Sequence, residues 1–248
     1  MDLGLAGRTA AVAGGSAGLG FATARALAND GVRVVICGRD VARVTAAASK
    51  IGNSCVGISC DVSTVIGAES FIQQATKSLG HIDILVLNSG GPQAGNFAST
   101  SVENYDKALE NGLMSMIAMT KKVVPEMQSR KWGRIVAITS IAVRQPIANL
   151  ILSNTARAGL TAFLKTVARE VAGDGVTINT VQPGIHATDR ITQLYGAAPD
   201  AKSLDIPAGI VGDPKDLGDV VAFLCSESAK FITGANLQVD GGAYSGLI

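Results

Sequence analysis

Short runs rich in valine and isoleucine recur along this chain, and segments of helical length and pattern separate them. Apolar runs without polar alternation are typical of parallel strands that are covered on both faces. Strands that alternate with helices predict a single doubly wound α/β domain over residues 1–248, with a mainly parallel seven-stranded sheet and helices on both faces. The predicted strands lie in RTAAVAG, VRVVICG, CVGISCD, IDILVLN, GRIVAITS, VTINTVQPG and NLQVDGG.

One segment breaks the alternation of strands and helices. Residues 185–212 carry glycine, proline and polar residues without clear periodicity. A segment that long inside a compact domain is usually a functional lid or loop, so we predict a substrate-binding lid there. The predicted helices cover residues 19–29, 41–51, 65–79, 102–130, 148–172 and 217–225.

The charge and the cysteine content of the chain indicate what kind of partner it binds and in which cellular compartment it is expected. Lysine and arginine total 21 against 20 aspartate and glutamate, without a basic or acidic block, so we expect a small-molecule partner and neither nucleic acid nor a membrane. Cys37, Cys55, Cys60 and Cys225 lack the spacing of metal ligands, and we predict no metal site. The amino-terminal stretch has no long apolar segment. Reduced thiols in the cytoplasm fit these features.

A glycine-rich turn, A-G-G-S-A-G-L-G, follows the first predicted strand and opens the first helix. Glycine lets the backbone approach a pyrophosphate, whose charge is met by the N–H groups and the dipole of the helix start. The alternative is structural, because a tight strand-to-helix turn also needs glycine. We predict a dinucleotide-phosphate site formed by Gly14, Ser16, Gly18, Leu19 and Gly20.

The second predicted strand ends in C-G-R-D, where dinucleotide-binding folds usually place an acidic residue on the adenosine ribose. Gly38 occupies that place here, and Arg39 follows it. A guanidinium favours a 2'-phosphate, which a carboxylate would repel, so NADP(H) is favoured and NAD(H) is the alternative cofactor. The competing interpretation makes Arg39 a solvated loop residue and Asp40 the N-cap of the next helix.

The ends of the third and fourth predicted strands extend the same site. The third strand ends in C-D-V, and the fourth continues into L-N-S-G-G. Adenine and its ribose would rest at this carboxyl edge of a doubly wound sheet. We therefore predict cofactor contacts from Asp61, Val62, Asn88 and Gly90.

Taken in order, these motifs resemble the short-chain dehydrogenase/reductase family. The resemblance runs from the G-x-x-x-G-x-G turn through L-N-S-G, G-R-I-V-A-I-T-S and P-G to I-T-G-A-N-L-Q-V-D-G-G, and it covers nearly the whole chain. The 3-oxoacyl-carrier-protein reductase-like branch is the most similar. The resemblance implies a single Rossmann-type domain, often tetrameric, that uses NAD or NADP to interconvert alcohols and carbonyls.

The family's catalytic set is Asn, Ser, Tyr and Lys. Asn111 matches the Asn that holds a water in a proton relay, and Ser140 matches the Ser that hydrogen-bonds the substrate oxygen. At the Tyr and Lys positions this chain has Ser153 and Arg157. A serine is shorter and far less acidic than a tyrosine, so it is a poor acid without an adjacent base. Arg157 could bind the cofactor ribose and hold positive charge, but it cannot release a proton near pH 7.

Two further residues are candidates for the proton donor. His186 follows P-G-I after the sixth strand, and histidine titrates near neutral pH; the alternative is a loop hydrogen-bonder. Tyr195 lies in the predicted lid and could swing over the substrate; the alternative is an apolar wall. Pro183 and Gly184 match the family's P-G, and Thr188 matches the Thr that follows it, which commonly helps to hold the cofactor.

Three functions are consistent with these residues. The first is an NADP(H)-dependent oxidoreductase acting on a small-molecule carbonyl or alcohol with an atypical catalytic set. The second is a catalytically silent NADP-binding sensor or structural subunit, and the third is a lyase or isomerase on the same fold. Ser140 and Asn111 favour the enzyme, because a binding module has less need of both. A homo-oligomer, either a tetramer or a dimer, is expected from the resemblance.

Overall fold

The computed structural model describes residues 2–196 and 200–247. Within these residues the chain forms a sheet of seven strands. The strands are β1 (Thr9–Val12), β2 (Arg33–Gly38), β3 (Val56–Ser59), β4 (Ile84–Leu87), β5 (Gly133–Ile138), β6 (Val176–Pro183) and β7 (Asn236–Val239). Their order is β3-β2-β1-β4-β5-β6-β7, and all six pairings are parallel. The predicted doubly wound, seven-stranded Rossmann-type domain is confirmed.

Helices connect the strands and cover both faces of the sheet. They are α1 (Gly18–Asn29), α2 (Val41–Ile51), α3 (Val65–Leu79), α4 (Val102–Leu109), α5 (Ser115–Ser129), α6 (Ile151–Val171), α7 (Asp189–Tyr195) and α8 (Pro214–Cys225). In the described part of the chain, no helix is both long and apolar enough to cross a membrane.

Two apolar cores form because successive strand residues point to opposite faces of the sheet. One core lies under α3, α5 and α6, where Phe71, Met119 and Leu164 are fully buried. The other lies under α1, α2 and α8, around Leu27 and Leu217. Burial on both faces explains why the strand sequences lack polar alternation.

The strand order reverses between β1 and β4, which lie side by side at the centre of the sheet. Ligands of doubly wound folds bind in the crevice outside such a reversal, at the carboxyl ends of the strands. Asn88, directly after β4, closes the base of this crevice. Its side-chain amide donates to the carbonyl oxygens of Ala13 and Gly14, at 3.3 and 3.2 Å.

The predicted helix over residues 102–130 was wrong in one respect, because it is not a single α-helix. A π-helical turn, Glu110–Met114, separates α4 from α5. Within the turn the Ser115 hydroxyl donates to the Asn111 carbonyl, 2.8 Å away. A Cβ on Gly112 would stand 2.9 Å from the Cβ of Ala156, so the turn lies against α6. Hydrophobic periodicity cannot reveal a local change of winding of this kind.

The observed starts of two other helices differ from the predicted ones by a few residues. Helix α6 begins at Ile151 and not at residue 148, and α8 begins at Pro214 and not at residue 217. Asp213 caps α8 by accepting the N–H of Lys215 at 2.8 Å, and aspartate followed by proline is a common helix start. The segment 185–212 contains the helix α7, which the lack of periodicity did not predict. Residues 197–199 of this segment lie outside the described residues.

Candidate active site

The glycine-rich turn after β1 forms an open cradle at the start of α1. Gly14 and Gly18 have φ angles of +59° and +55°, a backbone conformation that favours glycine. A Cβ on Gly20 would stand 2.3 Å from the Gly14 carbonyl oxygen. The N-cap residue, Ala17, offers no side-chain acceptor to the first turn of the helix. The N–H groups of that turn therefore face outward without a cap, which fits a bound phosphate.

The ends of β2 and β3 lie beside this turn. A Cβ on Gly38 would stand 2.6 Å from the Ser16 hydroxyl oxygen, so the turn and the strand end touch. The Arg39 side chain is exposed, and its carbonyl accepts the Ser59 hydroxyl at 3.2 Å. Asp40 caps α2 by accepting a first-turn N–H at 2.8 Å, as one interpretation predicted. The Asp40 carboxylate therefore serves as the helix cap, and the Arg39 side chain beside it remains exposed to solvent.

The remaining predicted cofactor residues divide into exposed and buried positions. Asp61 is exposed and accepts the N–H of Ser63 at 3.0 Å, whereas Val62 is buried in the core. Leu19 packs against the core under α1. Of these three, only Asp61 presents its side chain to solvent at this edge of the sheet.

Asn111 lies in the π-helical turn and contacts Gly90, which lies in the loop after β4. The Asn111 side-chain amide donates to the Gly90 carbonyl oxygen at 2.8 Å. The two residues are 21 apart in the chain, and the contact ties the loop after β4 to the helical layer. The predicted catalytic and cofactor residues of these two elements are therefore adjacent.

Ser140 follows the end of β5 and begins a short 3-10 turn, Ile141–Val143. Its hydroxyl oxygen accepts the N–H of Ala142 at 3.1 Å. A hydroxyl that accepts through its oxygen keeps its proton for another acceptor. Among the described residues this structure gives the Ser140 hydroxyl no acceptor, so it can donate to a ligand.

Ser153 and Arg157 lie one turn apart on α6 and contact each other. The Arg157 Nε donates to the Ser153 hydroxyl oxygen at 3.2 Å. The Arg157 Nη1 also donates to the carbonyl oxygens of Ile138 and Thr139, both at 2.8 Å. The guanidinium therefore joins α6 to the carboxyl end of β5, one residue before Ser140.

Burial and, to a smaller extent, the positive charge of Arg190 together lower the pKa of Arg157 to about 10. The group still carries its proton at neutral pH. A fixed positive charge thus stands next to the Ser153 hydroxyl, in partly buried surroundings where charge acts more strongly than in water.

A small cavity of about 10 Å³ borders this pair, roughly the space of one water molecule. Ser153 and Arg157 line it together with Gly90, Pro92 and Met116. The cavity therefore borders the loop after β4 as well as α5 and α6.

Arg190 was not predicted from the sequence. It lies in the first turn of α7, and its Nη2 donates to the Pro92 carbonyl oxygen at 2.8 Å. A Cβ on Gly91 would stand 3.4 Å from both Nε and Nη2. The residues are 98 apart in the chain, and no local sequence pattern signals a contact of that separation.

Neither of the two candidate proton donors, His186 and Tyr195, is among the residues that line the cavity beside Ser153 and Arg157. His186 is 4% exposed, and its Nδ1 lies 3.4 Å from the Gly184 carbonyl oxygen. Burial lowers its pKa, and its ring packs so closely that a Cβ on Gly212 would stand 2.7 Å from it. Tyr195 is the last residue of α7 and is 43% exposed. This packing favours a structural role for His186.

The segment after β6 approaches the phosphate turn. Pro183 ends β6, and the N–H of Gly184 donates to the Val239 carbonyl at 3.0 Å. Thr188 precedes α7, and its Cγ2 would lie 3.5 Å from a Cβ on Gly18. Within the described residues, no group of three histidine, cysteine, aspartate or glutamate side chains is placed to hold a metal ion.

A glycine turn open to phosphate, at the strand reversal of a doubly wound parallel sheet, defines a dinucleotide-binding domain. Comparisons with known proteins show which family within this class the chain resembles. A family model described as enoyl-(acyl carrier protein) reductase matches residues 13–244. The 3-oxoacyl-acyl-carrier-protein reductase FabG of Vibrio cholerae is 34% identical over 240 residues, 97% of this chain and 98% of the relative.

Solved structures agree with the sequence matches. L-sorbose reductase from Gluconobacter frateurii, complexed with NADPH and L-sorbose, has a TM-score of 0.92 and 30% identity over the full length of both chains. An NADPH-bound short chain oxidoreductase from Pseudomonas aeruginosa PAO1, described as containing an atypical catalytic center, has a TM-score of 0.89 and 29% identity. That match covers 96% of this chain and 97% of the other. The chain belongs to the short-chain dehydrogenase/reductase family of oxidoreductase enzymes, as the motifs indicated.

Proposed function

We propose that this chain is an NADP(H)-dependent oxidoreductase that interconverts a carbonyl and an alcohol with an atypical catalytic set. Ser140 and Ser153 bind the reacting oxygen, Arg157 supplies the positive charge, and Asn111 positions the loop after β4. One observation carries the proposal: both serine oxygens accept an N–H from the protein, at 3.1 and 3.2 Å. Both hydroxyl protons are therefore available to a substrate oxygen.

The reacting oxygen is stabilised by donors that are already in place. When bound, NADPH supplies the hydride. Negative charge then develops on the carbonyl oxygen, and the Ser140 and Ser153 hydroxyls donate to it. The Arg157 guanidinium stands 3.2 Å from the Ser153 oxygen and favours that charge. Donors and charges fixed in this way act as an oxyanion hole.

The proton of the product alcohol passes through Ser153 in this proposal. The Ser153 hydroxyl gives its proton to the substrate oxygen as it takes one from a neighbouring water molecule, and that water is reprotonated from bulk solvent. The cavity beside Ser153 has room for about one water molecule. Arg157 keeps its proton at neutral pH, since its pKa is about 10, and acts by charge and orientation.

Two features support the choice of cofactor and the role of the lid. The phosphate turn fits a pyrophosphate, and exposed Arg39 beside Ser16 suits a 2'-phosphate. Two structural relatives were solved with NADPH. The segment 185–212 leads from β6 to α8 and carries Thr188 toward the phosphate turn. We propose that this segment covers the bound cofactor and substrate.

The test is a kinetic comparison of single variants. NADPH and NADH are titrated by fluorescence, and diketones, oxoacyl thioesters and quinones are screened for NADPH oxidation. We expect Ser140→Ala and Ser153→Ala each to lower kcat about 100- to 1000-fold, the cost of one oxyanion donor, with NADPH affinity unchanged. Thr155→Ala is the matched control, because Thr155 is exposed on the same helix and donates to Ile151 in its own turn.

The same experiment separates the alternatives. NADPH binding without oxidation of any substrate would indicate a silent sensor or structural subunit. Substrate conversion without a change in nicotinamide absorbance would indicate a lyase or isomerase. Turnover that survives Ser140→Ala and Ser153→Ala at the wild-type rate would remove these residues from the catalytic set.

A cytoplasmic location and a homo-oligomer, tetramer or dimer, belong to the same proposal. They rest on the family resemblance and on reduced cysteines, since Cys37, Cys55, Cys60 and Cys225 are all unpaired thiols. Apolar side chains exposed around the π-helical turn support an assembly: Val102 is 78% exposed and Met114 is 46% exposed.

A further inference from the structure

Arg190 joins the lid segment to the opposite wall of the active-site crevice. Its Nη2 donates to the Pro92 carbonyl at 2.8 Å, and Pro92 also lines the cavity that borders Ser153 and Arg157. The guanidinium is half-buried and lies over Gly91. Arg190 therefore contacts a residue that lines the cavity of Ser153 and Arg157.

Two positively charged side chains, Arg157 and Arg190, lie close to this cavity. No carboxylate of the described residues lies within 4.0 Å of a nitrogen of Arg157 or Arg190. The two guanidinium groups are close enough for Arg190 to lower the pKa of Arg157. Two partly buried cations side by side repel each other, so an anion held between or beside them would be favoured.

Arg190 also has donors to spare. A guanidinium has five N–H donors in a fixed fork, and this structure shows one hydrogen bond from Arg190, to Pro92. The fork matches a carboxylate in two parallel hydrogen bonds. A single carbonyl acceptor does not require an arginine.

The direction of the side chain separates this anion from the phosphates of the cofactor. Thr188 approaches Gly18 of the phosphate turn, whereas Arg190 approaches Gly91 and Pro92. Arg190 therefore lies beside the loop after β4, which borders the cavity of Ser153, whereas Thr188 lies beside the phosphate turn.

We propose that Arg190 binds a carboxylate of the substrate, so that this enzyme acts on carbonyl or hydroxy compounds that carry a carboxylate group near the reacting carbon. The inference deepens the proposed function and rests on it. The N–H donors of Arg190 that Pro92 does not engage bind the carboxylate. Arg190 is thereby a specificity-determining residue.

The first test compares acids with their esters. Oxo carboxylates with the carbonyl two or three carbons along the chain are assayed beside their methyl esters. For the acids we expect Arg190→Met to raise KM about 10- to 100-fold, the loss of charge-assisted hydrogen bonds, with kcat changed far less. The esters and NADPH affinity should change less than about threefold, a difference within ordinary surface-substitution effects.

A second test does not depend on turnover. Malonate and dimethyl malonate are titrated by calorimetry onto the complex of the protein with NADP+. We expect malonate to bind the wild-type complex, Arg190→Met to weaken it about 10- to 100-fold, and Arg190→Lys to restore part of the affinity. Arg169→Met, an exposed position on α6, is the control that should change nothing.

The outcomes are distinct. An equal loss for acids and esters, or no loss at all, would overturn the carboxylate role. A fall in NADPH affinity that matches the fall in acid affinity would make Arg190 a cofactor ligand and also overturn it. Malonate binding that depends on Arg190 in a protein without any reductase activity would support the site while refuting the proposed function.

Discussion

At the scale of single residues, Arg157 determines how the side chain of Ser153 is held. An arginine offers several donors in a fixed plane, whereas a lysine offers one rotating ammonium. Arg157 uses this plane to contact Ser153 on its own helix and two carbonyls at the end of β5. The hydroxyl of Ser153 is therefore fixed relative to Ser140, which follows those carbonyls. In the proposed mechanism, Arg157 supplies the charge and the geometry that Ser153 needs.

Cofactor choice is also a single-residue question. Arg39 is exposed at the end of β2, next to Ser16 of the phosphate turn. We expect Arg39→Ala to raise the dissociation constant of NADPH about tenfold, because one charge-assisted hydrogen bond at an exposed place is lost. The dissociation constant of NADH should change less than about twofold, since that cofactor has no 2'-phosphate.

Fluorescence titration of both cofactors at two salt concentrations measures this effect. The preference for NADPH should weaken as salt rises, because exposed charges are screened. Arg169→Ala is the control, being an exposed arginine on α6 far along the chain from the turn. Equal losses for NADPH and NADH would show that Arg39 does not read the 2'-phosphate.

At the scale of elements, the sequence predicts the periodic parts of the chain and misses their irregularities. The strands and the helices α1, α2 and α3 follow the predicted bounds closely, because their apolar spacing is regular. The π-helical turn and the helix α7 leave no periodic signal. Both irregular elements carry residues of the proposed site: a motif indicated Asn111, whereas nothing in the local sequence indicated the contact of Arg190.

Strands β1 and β4 and the end of α5 are held together by a buried carboxylate. Asp83 is 2% exposed and accepts from the Thr9 N–H at 3.1 Å, from the Thr9 hydroxyl at 3.3 Å and from Arg130. Burial opposes its ionisation, but the hydrogen bonds from Arg130 and Thr9 outweigh burial and hold the pKa of Asp83 below its usual value. His81 lies 3.3 Å away on the same carboxylate.

We expect Asp83→Asn to lower the free energy of unfolding by about 2 kcal/mol at pH 7, the typical worth of a hydrogen bond to a charged group. A carboxylate with a lowered pKa stabilises the fold fully above its ordinary pKa of 3.8, and this contribution is lost as the pH falls below it. The variant should therefore lose less stability between pH 5 and pH 3 than the wild type.

Urea unfolding at several pH values measures both effects. Asp219→Asn is the control, because Asp219 pairs with Lys215 on the exposed face of α8 and should matter little. If Asp83→Asn and the wild type lose stability in parallel on acidification, another carboxylate governs the acid transition.

At the scale of the whole molecule, the sequence predicts the architecture of the sheet more completely than it predicts the site. Alternating strands and helices admit few topologies, so the sheet and its central strand reversal follow from local pattern and handedness. The proposed catalytic positions, Asn111, Ser140, Ser153 and Arg157, were identified through motifs in order along the chain. The contact of Arg190 with Pro92 depends on how α7 folds back over the sheet, and only the structure shows it.

The cofactor site unites the turn after β1, the loop after β4 and the segment before α7, so binding should stabilise the whole domain at once. Asn88 and Thr188 both contact this turn in the protein alone. At a concentration 100 times its dissociation constant, NADPH should add about 2.7 kcal/mol and raise Tm by about 5 to 10 °C. Differential scanning calorimetry at matched concentrations should give a smaller rise with NADH, since NADH lacks the phosphate that we assign to Arg39. Equal rises with both cofactors would contradict the NADP(H) preference, and no rise with either would contradict dinucleotide binding at this turn.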